Sequence, residues 1–249
     1  MAKKKKKSAT ISAAMFKTTG AHAKLKVDAK KKKLFYFRTK VKPDKAGKLA
    51  AATGAEILGV SPSALKVGKP ALKYDFYSIY DATVNMKYVT VDVQELGVYD
   101  QLKGAMVGKE VVLPKKGKTI PGKAIFVDIV NLYFTKNKVS HILDGSTGHP
   151  ARSLEKMLKG PGKKGASTGW IKQNKITSGK FNSAEKVLKA IVKEASKVSK
   201  DIKRVVERSV VFTKLDNFYV PTYYVTVKAG AKSKVMRVNG VTGNVAIKV

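Results

Sequence analysis

Positive charge runs along nearly the whole chain and limits what it can become: 51 Lys and Arg stand against 17 Asp and Glu, a formal net charge of +34 over 249 residues. A compact fold with this balance works against its own repulsion. Its cations must be spread over the surface, and a polyanion that neutralises them is the natural partner. A hydrophobic fraction of 43% still suffices for real cores, so the chain is no disordered polycation. Arg38, Arg152, Arg204, Arg208 and Arg237 are the only arginines. Bidentate reading of guanine is mainly arginine chemistry, whereas phosphate needs only a point charge, so the lysine excess predicts binding without sequence reading.

Several classes of chemistry are disfavoured. The chain has no cysteine, hence no disulfide framework, thiolate metal site or cysteine nucleophile. It has no run of the roughly 18 to 20 apolar residues that a spanning helix needs. Lys3 to Lys7, Ala9 to Phe16 and Ala21-His22-Ala23 imitate a secretory leader, but Ser8, Thr10, Ser12 and Lys17 make the middle too polar. Gly108-Lys109, Gly117-Lys118, Gly122-Lys123 and Gly160 to Gly165 pair glycine with lysine, without the spacing that holds a nucleotide. His141, Asp144 and His149 match no familiar ligand pattern and read as surface groups. No acid, base, nucleophile and anion hole fall in one neighbourhood, so neither an enzyme nor a cofactor is predicted.

The chain reads as α+β. Residues 1–42 hold fifteen basic side chains against Asp28 alone and form a basic arm, partly flexible, with a strand at Leu34 to Phe37. A first helix-plus-antiparallel-sheet unit spans 43–152, with a helix over 45–58 capped by Asp44 and stopped by Gly59, and strands from Ala71 to Val93, Ala124 to Phe134 and Val139 to Leu143. Residues 153–181, rich in Gly and Lys, read as an exposed linker. The second unit, 182–249, opens on Asn182 with Glu185 as a capping partner. Leu188, Ile191, Ala195, Val198, Ile202 and Val205 keep three- and four-residue spacing, which predicts one long helix over 183–208.

The two units echo each other. Asp144-Gly145-Ser146-Thr147-Gly148 and Asn239-Gly240-Val241-Thr242-Gly243 each follow a strand, a tight turn and a strand, which suggests an internal repeat whose first copy is enlarged around 94–123. The hairpin closing in Asx-Gly-x-Thr-Gly, at 218–245 and 124–148, resembles the end of small antiparallel modules such as the PepSY domain. That resemblance implies a helix-and-sheet fold and no activity.

The candidate phosphate contacts are lysine patches: Lys3, Lys4, Lys5, Lys6, Lys7, Lys30, Lys31, Lys32 and Lys33 in the arm; Lys115, Lys116, Lys118 and Lys123 in glycine-rich loops; Lys163, Lys164, Lys172 and Lys175 in the linker; and Lys193, Lys197, Lys200 and Arg204 on the long helix. Tyr74, Tyr77, Tyr80, Tyr219, Tyr223 and Tyr224 offer rings either to unpaired bases or to a sheet core. The predicted function is non-enzymatic packaging of nucleic acid, double-stranded DNA before RNA, in chromatin, nucleoid or a virion interior, with room for a homo-oligomer on the polymer. A structured-RNA or ribosome-associated protein and an anionic membrane-surface binder are the alternatives.

Overall fold

The computed structural model describes residues 11–248, so Lys3, Lys4, Lys5, Lys6 and Lys7 lie outside the described residues. Strand accounts for 47% of the structure and helix for 21%. Among the described residues ten strands join one mixed sheet. The α+β expectation of two helix-plus-antiparallel-sheet units, the second with a long helix, is therefore corrected to a mostly β fold with short helices.

In chain order the strands are β1 (Lys26–Asp28), β2 (Lys32–Phe37), β3 (Lys66–Val67), β4 (Ala71–Val98), β5 (Ala105–Val107), β6 (Glu110–Val112), β7 (Lys115–Lys116), β8 (Lys123–Asp144), β9 (Lys163–Gly165), β10 (Arg204–Ala229), β11 (Lys232–Asn239) and β12 (Val245–Ile247). The α-helices are α1 (Pro43–Leu58), α2 (Glu155–Lys159), α3 (Thr168–Gln173) and α4 (Ala184–Ala195), with short 3-10 helices at Ala13–Phe16, Pro62–Ala64 and Arg152–Leu154. The main sheet path is β12-β11-β10-β4-β8-β7; β1, β2 and β3 also pair with β10, and β9 with β2.

The predicted long helix stops at Ala195. Ser183 caps it, its Oγ accepting from the Lys186 N–H at 3.3 Å, while the Asn182 side chain donates to the Thr177 carbonyl. The helical spacing does persist past Ala195, but Val198, Ile202 and Val205 carry it, and β-branched residues sit equally well in a strand. A turn closes from the Ile202 N–H to the Ser199 carbonyl, and the Lys203 N–H reaches the Val89 carbonyl at 2.9 Å. β10 then buries Val205 and Val210 completely.

The amino-terminal segment is likewise no free arm where it is described. β2 runs parallel to β10, from Lys32 opposite Leu215 to Tyr36 opposite Tyr219, because Leu34 to Phe37 is too apolar to stay in water and Phe37 ends 2% exposed. Over 153–181, where composition predicts a linker, the chain forms α2, β9 and α3 and buries Leu158 completely. A few well-placed apolar residues suffice to dock a glycine- and lysine-rich stretch.

The chain divides into two discontinuous compact units. The larger comprises residues 28–83, 138–195 and 211–248; the smaller comprises 11–27, 84–137 and 196–210. In the larger unit, α1 starts at Pro43, so Lys42 rather than the expected Asp44 stands at the cap and Asp44 lies inside the first turn; the helix stops at Gly59 with φ 68°. Pro fixes a helical φ, Asp complements the helix dipole, and glycine accepts the left-handed cap. Ala46 and Ala50 of α1 pack on Tyr223, Val225 and Val227 of β10 and Met236 and Val238 of β11. A second core joins Phe37, Tyr77, Ile79, Leu158, Phe218 and Val220.

The two Asx turns of this unit have the same hydrogen bonds. Asp144 donates its N–H to the His149 carbonyl and its carbonyl accepts the Gly148 N–H; Asn239 does the same with Asn244 and Gly243. Each Asx Oδ1 accepts two amides, Ser146 and Thr147 in one turn and Val241 and Thr242 in the other. A chain segment leading into a helix docks on each turn. Lys40 and Val41, leading into α1, donate to the Gly240 carbonyl of the later turn, whereas Phe181, leading into α4, donates to the Gly145 carbonyl of the earlier one.

In the smaller unit, Val89, Ala124, Val205 and Val210 are fully buried, and Tyr88 stacks on Tyr133 at 5.4 Å. The chain before β1 is tied to β10: the Val205 N–H donates to His22 Nδ1 at 3.0 Å, the Ala23 N–H to the Val205 carbonyl, and Arg208 Nε to the Ala23 carbonyl at 2.8 Å.

Candidate nucleic-acid interface

Strand alternation sorts the lysines of the larger unit. Successive side chains of β2 point to opposite faces. Phe35 and Phe37 both stack on Phe218 in the core, which puts Lys32, Leu34 and Tyr36 on the other face. β9 pairs antiparallel to β2 with Lys164 opposite Tyr36 and Lys163 opposite Phe37, and directly opposed residues share a face. Lys164 therefore stands with Tyr36 and Lys32. Lys163 turns inward: its Nζ lies 5.7 Å from the Phe35 ring centroid and 6.0 Å from that of Phe218, and it donates to the Lys159 carbonyl at 3.1 Å, closing the end of α2.

The Lys164 face is aromatic. Trp170 of α3 stacks on Tyr36 with ring centroids 4.4 Å apart, meets the Tyr74 ring edge-on at 4.8 Å and lies 5.6 Å from Tyr219. Ser167 caps α3 by accepting from the Trp170 N–H at 3.1 Å, which fixes the indole's place. Burial raises the pKa of Tyr74 and pushes that of Tyr219 up to about 12, so both stay neutral hydroxyls. Lys172 and Lys175 are exposed around this cluster, and the Lys175 carbonyl accepts the Tyr74 N–H. Lys30 and Lys31 occupy the turn into β2, and Lys33 is exposed at its start. Lys32 bridges to Glu185 at 2.9 Å, a hydrogen bond that holds the Glu185 carboxyl below its ordinary range. Lys193 is exposed at the end of α4.

The other expected contacts belong to the smaller unit. Lys197 and Lys200 are exposed in the turn before β10, and Arg204 donates to the Thr19 carbonyl at 3.3 Å, so it holds the amino-terminal segment. Lys115 and Lys116 are exposed on β7. Lys123 donates to the Asp100 carbonyl at 2.7 Å, and Lys118 lies over the Phe126 ring. The glycine-rich loop does wrap an anion, but one from its own chain. Glu95 accepts from the backbone N–H groups of Lys118, Thr119 and Ile120 and from the Thr119 hydroxyl. The Thr119 hydroxyl first, then these amides, hold its carboxyl below the usual glutamate range. The structure thus puts Lys32 and Lys164 on the aromatic face of the larger unit with Lys172 and Lys175 on the segment that carries Trp170, places Lys30 and Lys31 in the turn into β2 and Lys33 on the other face of that strand, leaves Lys193 on α4, and carries the loop lysines on the smaller unit.

Tyr77, Tyr80, Tyr219, Tyr223 and Tyr224 are all less than 10% exposed, so these rings are core rather than an open stacking platform. Two of them join a buried polar network. Asp75 is fully buried and accepts from Arg237 Nη2 at 2.7 Å, from Tyr224 Oη at 2.6 Å and from Thr177 Oγ1 at 2.6 Å. Arg237 Nη2 also reaches Tyr77 Oη and Asp144 Oδ2. Burial raises both tyrosine pKa values. Burial also opposes the Arg237 charge, but the Asp75 carboxylate outweighs it and the guanidinium is held protonated more firmly than usual. This network walls a cleft of about 390 Å³ with Thr222, Asn239 and Asn244. Trp170 and Tyr36 are what the sequence reading missed; the signal was the chain's single Trp inside a glycine- and lysine-rich stretch.

No protein-family model, curated protein or solved structure matches the chain. Among the described residues no helix is long and apolar enough to cross a membrane.

Proposed function

We propose that this protein binds nucleic acid, double-stranded DNA before RNA, without reading sequence, and packages it through lysine–phosphate contacts. The observation that supports this reading best is the charge of the larger unit: its segments carry 30 Lys and Arg against 10 Asp and Glu. Two of those acids, Asp75 and Asp144, face Arg237 in the interior, so they do little to neutralise the surface. Lys30, Lys31, Lys33, Lys164, Lys172 and Lys175 remain exposed around β2, β9 and α3. Flexible ammonium groups on a rigid sheet edge suit a phosphate backbone, and each neutralised phosphate releases counterions.

Equilibrium binding to random-sequence duplex DNA, duplex RNA and single strands across a salt titration tests the proposal. Tight, sequence-indifferent duplex-DNA binding is expected, with log K falling against log salt at about −0.9 per phosphate contact. Preference for RNA at matched salt moves the assignment to a structured-RNA binder, and weak binding to all three overturns it.

A further inference from the structure

The smaller unit leaves apolar surface uncovered. Nine large hydrophobic side chains between Val93 and Phe134 are exposed, among them Tyr99 at 87%, Met106 at 74% and Val111 at 68%. Met106 and Val111 are cross-strand partners on β5 and β6, so they stand on one face. Leu113 continues that face: a Cβ placed on Gly104 would lie 3.6 Å from the Leu113 side chain and 3.8 Å from that of Val111. Val93, Val111, Leu113 and Phe126 then wall a groove of about 520 Å³ whose charged lining residues are Lys115 and Lys118.

Two features say what covers this face. β5 and β6 form a two-stranded sheet of their own, and a hairpin of that size is marginal in water while its apolar side stays bare. The surrounding charge is positive. Lys103, Lys109, Lys115, Lys116, Lys118 and Lys123 fall within 94–123 against Glu95, Asp100 and Glu110, and the Glu95 charge is already wrapped by the amides of 118–120. A second copy of the chain would bring the same positive surface against itself. A bilayer carrying acidic headgroups offers hydrocarbon to the apolar side chains and negative charge to the lysines around them.

We propose that the β5–β6 hairpin and its groove dock into an anionic lipid surface, Met106, Val111 and Leu113 entering the acyl boundary while Lys115, Lys118 and Lys109 meet the headgroups. This site lies in the smaller unit and goes beyond the nucleic-acid reading, which rests on the larger one.

The test uses the full chain, which has no cysteine. Met106→Cys and, as a control on α1, Lys45→Cys each carry one environment-sensitive fluorophore. Both are mixed with phosphatidylcholine vesicles containing about a third phosphatidylglycerol, or none. The label at 106 is expected to shift blue and escape an aqueous quencher with the anionic vesicles alone, and the label at 45 to stay in water. The charge-neutral double variant Met106→Ser with Leu113→Ser is expected to partition about tenfold less while keeping its duplex-DNA affinity. Flotation with a label at 106 that stays quenchable overturns the proposal in favour of charge alone, as does a double variant that floats like the parent. Self-association in sedimentation velocity that buries the label without lipid, and that the double serine variant abolishes, overturns it in favour of a second copy. Lipid insertion without DNA binding would remove the nucleic-acid reading and leave this one standing.

Discussion

Arg237 and Asp75 form a buried ion pair in which Nη2 and Nε approach the same carboxylate oxygen, at 2.7 and 3.2 Å, while Tyr224 and Thr177 hold the other. Every lone pair facing the interior has a donor, and among the described residues no buried side-chain polar atom is without a partner. Removing the guanidinium leaves Asp75 charged and enclosed. Arg237→Ala is therefore expected to destabilise the protein by about 3–5 kcal/mol, measured as a lowered midpoint of denaturant unfolding, and Arg237→Lys to recover only part because it cannot bond through two nitrogens.

Adjacent lysines should behave differently. Lys163 caps α2 and lies over two rings, so Lys163→Ala is expected to cost about 1 kcal/mol of stability and leave the salt dependence of DNA binding unchanged. Lys164 makes no such contacts on its exposed face. Lys164→Ala is expected to change stability by less than about 0.5 kcal/mol and to reduce the salt slope by about one. Denaturant titration and salt-dependent binding on both variants separate the roles, and equal slopes for the two would remove Lys164 from the interface.

The Glu95 carboxylate and the 118–120 amides give a pH-dependent loop. Because its folded pKa is depressed, the contribution is present above the ordinary glutamate range and is lost as pH falls through the lower folded value. Protection of the Lys118, Thr119 and Ile120 amides, taken relative to their intrinsic exchange rates at each pH, should be high at neutral pH and fall in acid before the rest of the smaller unit opens. Glu95→Gln should show the low protection already at neutral pH.

Gly145 and Gly240 hold matching places in the two Asx turns. A Cβ on Gly145 would come within 2.6 Å of the Phe181 carbonyl oxygen and 2.7 Å of that of Phe76, and one on Gly240 within 2.8 Å of the Pro221 carbonyl oxygen. Backbone cannot yield as a side-chain tip can, so either Gly→Ala change is expected to cost about 1–3 kcal/mol in thermal or denaturant unfolding. A neutral result at one position and not the other would break the equivalence of the turns.

The sequence carried the helix over 45–58, its Gly59 stop and the paired Asx-Gly-x-Thr-Gly turns, because these rest on local chemistry: fixed φ, left-handed caps and side-chain-to-amide bonds. It misled at 183–208, where Val198, Ile202 and Val205 keep a helical spacing that their branching also allows in a strand, and where the Lys203 N–H finds Val89 more than a hundred residues earlier. The candidate interface was legible as lysine patches only. Which lysine faces water depends on strand register, and Lys163 and Lys164, identical in sequence terms, are separated by Tyr36 and Phe37 opposite them. Tyr219 and Tyr223 could be platform or, more commonly for strand aromatics, core, and their neighbours place them in the core.

The docking of the chain before α1 on the later Asx turn bears on the order in which the molecule can be made. The segment leading into α1 leaves the ribosome before β10, and Val41, the acceptor for Tyr223 Oη, waits for a donor 182 residues further on, as β2 waits for β10. Contacts of such high sequence separation make for slow closure. Until β10 is made, the lysines at 30–33 have no sheet to join, and a polyanion encountered then would meet an open cation rather than a finished surface.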